Sequence, residues 1–117
     1  MRCVNFGRLL YGADYNPEQW PTSVWDEDVR LMREAGINTV SVPVFGWVAL
    51  QPEEDTFTFD WLDDVLDRLA AQDIAACLAT ATASVPAWAT QRYPDILVVD
   101  DNGVRRRHGN RHTFCPS

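Results

Sequence analysis

Ile37-Asn38-Thr39-Val40-Ser41-Val42-Pro43-Val44-Phe45 carries no charge and is rich in β-branched side chains. Such a run reads as a strand buried on both faces, the habit of parallel sheets. Pro43 should fall near its end, because proline has no N–H to give to the ladder. Directly upstream, Trp25, Val29 and Met32 recur at i, i+4 and i+7 with Leu31 and Ala35 beside them, an apolar helical stripe. Asp26, Glu27 and Asp28 stand early in that helix and Arg30 and Arg33 later, as the helix dipole favours. Ser23 followed by Asp26 resembles a capping box, and Gly36 is the expected left-handed stop. Downstream, Leu62, Val65, Leu66, Leu69 and Ala70 form a second amphipathic face starting near Asp60. Residues 9–13 and 74–80 read as short apolar strands, the first of them buried. The order strand, helix, strand, helix, strand predicts a parallel α/β sheet.

Composition narrows the function classes. The formal net charge of −7 argues against a general affinity for nucleic acid or for an anionic membrane. No apolar run approaches the roughly 20 residues of a membrane helix, and the N-terminal stretch lacks the apolar core of a signal peptide. The three cysteines, Cys3, Cys77 and Cys115, are odd in number and widely spaced. They form no disulfide framework and no CxxC motif, so reduced thiols in the cytoplasm are expected.

Residues 81–117 break the pattern. Asp101-Asn102-Gly103, between Ile96-Leu97-Val98-Val99 and Val104-Arg105-Arg106, reads as a small hairpin turn. A short helix around Trp88 is expected between Val85 and Gln91. A connection this long usually has a job, and in an α/β barrel it would lie on the C-terminal face, where active sites are built. An eight-stranded barrel needs roughly 250 residues, so these 117 residues read as an incomplete barrel.

Several strings say more than periodicity does. Tyr11-Gly12-Ala13-Asp14-Tyr15-Asn16-Pro17-Glu18-Gln19-Trp20 resembles the opening of the β-galactosidases of glycoside hydrolase family 42. Trp25 followed by Asp28, Leu31-Met32 and Glu34-Ala35-Gly36-Ile37-Asn38 are similar to the same family. So are Pro86-Ala87-Trp88, Tyr93-Pro94-Asp95-Ile96-Leu97, Arg111-His112 and Phe114-Cys115-Pro116-Ser117. Gln51-Pro52-Glu53-Glu54 with Phe59-Asp60-Trp61-Leu62-Asp63 is shared more widely among barrel glycosidases.

The resemblance implies a TIM (β/α)₈ barrel, of which residues 1–117 are the N-terminal part, cut before the fourth strand. It implies hydrolysis of terminal β-galactosides with retention, through two glutamates carried after the fourth and seventh strands. Neither glutamate would be present here, and the chain alone should show no turnover. Arg111 matches an arginine that hydrogen-bonds galactose; a guanidinium offers a rigid fork of donors to sugar hydroxyls. Cys115 matches the first cysteine of a zinc site found in some members, with His112 close by. Zinc would be structural; the chemistry needs no cofactor. Family members often form trimers. Two other readings stay open: a stand-alone sugar-binding or interaction module, which predicts a cooperative thermal transition for the isolated chain, and a related glycosidase for another sugar, such as an arabinoside.

Among other residues, Glu53 and Glu54 read as a solvated turn. Asp14 and Glu18, at the end of the first strand, are expected to make structural hydrogen bonds. Trp20, Trp47 and Trp88 are candidates to stack on sugar rings or to fill the core.

Overall fold

The computed structural model describes residues 6–107 and residue 114. Three strands, β1 (Gly12–Asp14), β2 (Thr39–Val42) and β3 (Ala75–Leu78), form one parallel sheet in sequence order. Helix α1 (Trp25–Glu34) links β1 to β2; α2 (Trp47–Leu50) and α3 (Asp60–Ala71) link β2 to β3; α4 (Ala87–Arg92) follows β3. The parallel α/β expectation holds.

Helices α1 and α3 pack against one face of the sheet. Val40 and Val42, alternate residues of β2, are buried with Trp25 and Val29 of α1 and Leu62, Val65 and Leu69 of α3. Arg68 ties the two helices together: its guanidinium pairs with Asp64 at 2.8 Å and with Asp26, and lies 5.8 Å from the Trp25 ring centroid. Leu69 is fully buried. Leu69→Ala should lower unfolding stability by about 2–5 kcal/mol, the usual cost of a buried leucine cavity, read as a lower urea midpoint of the chain.

The opposite face is more polar. Register sets Gly12 beside Thr39 and Ala75, and Asp14 beside Ser41 and Cys77. Thr39 and Ser41 are half-buried, while Asp14 and Cys77 are exposed.

Several expectations need correction. The first strand is shorter than residues 9–13 and exposed along its length, because it lies at the sheet edge; Leu9 is 87% exposed. β2 is buried on its helix face and only half-buried on the other. No side chain caps α1: a 3₁₀ turn, Thr22–Val24, feeds directly into it. The backbone enters the helix already wound, so the Ser23 capping box does not form. Helix α2 was not anticipated; with four residues it is too short to show a period.

Other features match. α1 ends as expected, with Gly36 at φ 78°, and α3 starts at Asp60. The Asp100–Val104 turn closes by the Asp100 N–H donating to the Val104 carbonyl at 3.0 Å, flanked by a Val99–Arg105 bridge.

Asn38 explains why β1 holds its place. Its side-chain amide donates to the Leu9 carbonyl at 2.8 Å and its Oδ1 accepts from the Tyr11 N–H at 2.7 Å. The side chain thereby extends the pairing of the first strand by one more rung. Gly12 sits where the strands approach closely: a Cβ built there would lie 1.6 Å from the Thr39 carbonyl oxygen. No helix among the described residues is long and apolar enough to cross a membrane.

Candidate functional site

Because the strands are parallel, the segments that follow β1, β2 and β3 emerge on the same side of the sheet, at its C-terminal edge. The segment after β1 turns at once. Pro17–Gln19 forms a 3₁₀ turn, and the Trp25 indole N–H of α1 donates to the Pro17 carbonyl at 3.1 Å. Tyr15 points to the helix face, where its hydroxyl donates to Asp28 Oδ2 at 2.9 Å. Burial first, and the Asp28 hydrogen bond second, hold that phenol well above its ordinary pKa. The Tyr15–Asp28 bond gives the Asp28 of the Trp25 motif its structural role.

The segments after β2 and β3 are stitched together around Gln51. The Trp47 indole donates to Gln51 Oε1 at 2.8 Å, Gln51 Nε2 donates to the Glu54 carbonyl at 2.7 Å, and the Trp88 indole donates to the Gln51 carbonyl at 2.9 Å. Glu54 accepts from the Tyr93 hydroxyl and pairs with Arg92. That hydrogen bond raises the Tyr93 pKa. The Trp47 ring packs at 58° to Phe114, centroids 5.5 Å apart, and Phe114 bridges Leu97. Trp47 and Trp88 are therefore half-buried with their N–H groups engaged in the protein, while Trp20 is 59% exposed.

Glu53 is exposed as expected, but Glu54 is a fastener between two loops and not a solvated turn. No periodic signal in the sequence marks Gln51 or Glu54, because the partners that tie them to the segment after β3, Trp88 of α4 and Tyr93 just beyond it, lie 37 and 39 positions away. Arg105 is likewise structural, donating to the Pro94 carbonyl at 2.7 Å and the Leu97 carbonyl at 3.2 Å.

Glu18 departs most from expectation. Among the described residues, both of its carboxylate oxygens and Asn16 Oδ1 are buried and find no side-chain hydrogen-bond partner, and the Glu18 backbone N–H only partly offsets the burial of the carboxyl. Burial pushes the Glu18 carboxyl above its usual range. The folded state then holds this proton more tightly than the unfolded chain. The associated stability is present at acid pH and is lost as pH rises from the unfolded carboxylate value through the folded one. Urea unfolding of the chain at a series of pH values checks this: Glu18→Gln should gain on the wild type as pH rises across that window.

Arg111, His112 and Cys115 lie outside the described residues. Among the described residues no group of three or more His, Cys, Asp or Glu side chains is placed to hold a metal ion. Cys77 is exposed on β3. One thiolate does not make a tetrahedral zinc site.

A parallel α/β unit with its longest, most cross-linked loops at the carboxyl ends of the strands belongs to the class of α/β proteins whose ligand sites form at that edge. A family model described as β-galactosidase, glycoside hydrolase family 42, matches residues 14–117. The chain belongs to this family. A β-galactosidase of Heyndrickxia coagulans is 53% identical over 110 residues, covering 94% of this chain and 16% of that protein. Among solved structures, a cold-adapted β-galactosidase from Rahnella sp. R3 matches with 50% identity and a TM-score of 0.86, over 92% of this chain and 16% of the other. The β-galactosidase of Bacillus circulans sp. alkalophilus matches with 46% identity and a TM-score of 0.88, over 95% and 16%. The chain spans about 16% of the length of these relatives.

Proposed function

We propose that this chain forms the first strand–helix units of the (β/α)₈ barrel of a retaining β-galactosidase, which releases terminal β-D-galactose from β-galactosides. The observation that carries the reading is the superposition on β-galactosidases at 46–50% identity with TM-scores of 0.86–0.88 over almost the whole chain. In this role the loops after β2 and β3 build one wall of the substrate pocket, and Arg111 donates hydrogen bonds to the galactose hydroxyls. The reaction needs two carboxyl groups about 5 Å apart, one protonated and one ionised. Those come from the remainder of the barrel. Cys115 would supply one thiolate to a structural zinc in the whole protein, with no part in the reaction. The whole protein assembles as a homotrimer and works in the cytoplasm in this reading.

The test joins residues 1–117 to the remainder of the Heyndrickxia coagulans β-galactosidase, in place of that enzyme's own matching segment. The hybrid should hydrolyse a chromogenic β-galactoside, and the purified 117-residue chain should not. A folded hybrid without turnover, or turnover by the chain alone, would overturn the reading.

A further inference from the structure

Gln51 meets three segments at once. It closes α2, where its backbone N–H donates to the Trp47 carbonyl at 2.8 Å. Its main-chain carbonyl accepts the Trp88 indole of α4, and its side chain holds the Trp47 indole on one side and the Glu54 carbonyl on the other. Trp47 in turn is the ring that touches Phe114, whose backbone bridges Leu97. Gln51, Trp47 and Phe114 are all half-buried, so the rings have room to move if a restraint is lost. An indole has two broad orientations about its last side-chain torsion. The Gln51 Oε1 acceptor selects the one that keeps the N–H engaged. Without it the ring can turn, and the 5.5 Å contact with Phe114 goes with it.

We propose that Gln51 is a positioning residue for the galactosidase reaction: it orients Trp47, Trp47 seats Phe114, and Phe114 fixes the backbone beside Arg111. This rests on the reading of Arg111 as a donor to galactose and of the loops after β2 and β3 as one wall of the pocket. Arg111 stands three positions before Phe114. Three residues span at most about 11 Å, so the place of Phe114 limits where the Arg111 backbone can stand. Gln51 touches no substrate in this role. Its effect is geometric: a misplacement of about 1 Å in a group that orients substrate can cost about 100-fold in rate. The residue type suits the task. An amide gives an acceptor to the indole and a donor to the Glu54 carbonyl at the same time, whereas a carboxylate offers acceptors only and alanine neither.

A double-mutant cycle in the hybrid enzyme tests this, with kcat/KM for a chromogenic β-galactoside measured well below every variant's thermal midpoint. Gln51→Ala and Phe114→Ala should each lower kcat/KM by about 10-fold, the effect of a partial misplacement. Because both break the same contact, the double variant should also lose about 10-fold, where independent sites would lose about 100-fold. Phe114→Tyr keeps the ring and should stay near wild type. A merely structural role for Gln51 would lower the thermal midpoint and leave kcat/KM unchanged. That result, or losses that multiply in the double variant, would overturn the proposal. If the Gln51→Ala hybrid does not fold, Trp47→Phe removes the same hydrogen bond from the indole side and takes its place in the cycle, with the same outcomes deciding. A crystal structure of the Gln51→Ala hybrid gives a readout independent of turnover: the Trp47 ring should be turned from its contact with Phe114, and an unmoved ring would count against the positioning role. A folded wild-type hybrid without turnover defeats the galactosidase reading and this role with it, whereas an active hybrid with multiplying losses defeats this role alone.

Discussion

A Gly12→Val chain is expected to lose the pairing of β1 with β2 and, with it, the cooperative unfolding transition. The reason is steric and local. A Cβ at position 12 would lie 1.6 Å from the Thr39 carbonyl oxygen and 2.7 Å from its carbon, so the backbones must separate before any side chain fits. Separation breaks the β1–β2 ladder and the Asn38 latch beside it. It also withdraws Tyr15 from the core and from Asp28. The combined cost should exceed about 4 kcal/mol, the range reached only when a backbone or core element is displaced. Far-ultraviolet circular dichroism during urea titration would record it. Gly12→Ala already introduces the offending carbon and should behave much as valine does. A Gly12→Ala chain with a wild-type midpoint would show that the strands are not held this close in solution.

The second large effect concerns the chemistry. In the hybrid enzyme, Arg111→Ala should reduce kcat/KM for a chromogenic β-galactoside by about 100-fold, equivalent to about 2.7 kcal/mol of transition-state stabilisation. A guanidinium hydrogen-bonded to sugar hydroxyls in a closed pocket leaves those hydroxyls without partners when it is removed. Arg111→Lys keeps the charge but loses the planar fork, so it should recover only part of the loss. Steady-state kinetics on the wild-type hybrid and the two variants, at equal thermal midpoints, makes the comparison. Equal kcat/KM values for Arg111→Ala and wild type would remove Arg111 from the galactose subsite.

The elements that sequence reading recovered are those with a strong local period or a stereochemical stop. α3 begins at Asp60 because its apolar positions repeat over three turns, and α1 ends before Gly36 because only glycine takes that φ without strain. β2 was legible as an uncharged β-branched run, although its core spans only Thr39–Val42. The errors fall where distant contacts decide. The burial of β1 depends on its place at the sheet edge, which no local window reports. The Ser23 cap gave way to a 3₁₀ lead-in because Pro21 already accepts the Val24 N–H. At the site, the tryptophans stood out by type, but the Gln51 hub that holds Trp47 and Trp88 did not. The isolation of the Glu18 carboxyl was likewise invisible, since a sequence shows which groups are polar and not which of them find partners.

The strand order has a further consequence for how the protein is made. β1, β2 and β3 are neighbours in space in the order in which a ribosome would release them, and each pairs with the strand made just before it. No strand must wait for a distant part of the chain before it finds its first partner, so each loop closed during assembly is short. Growth can proceed outward from β1 during translation, with α1 and α3 sealing one face as they emerge. Among the described residues β1 and β3 are then the two outer strands of the sheet, and β2, the second to be made, is the one paired on both sides.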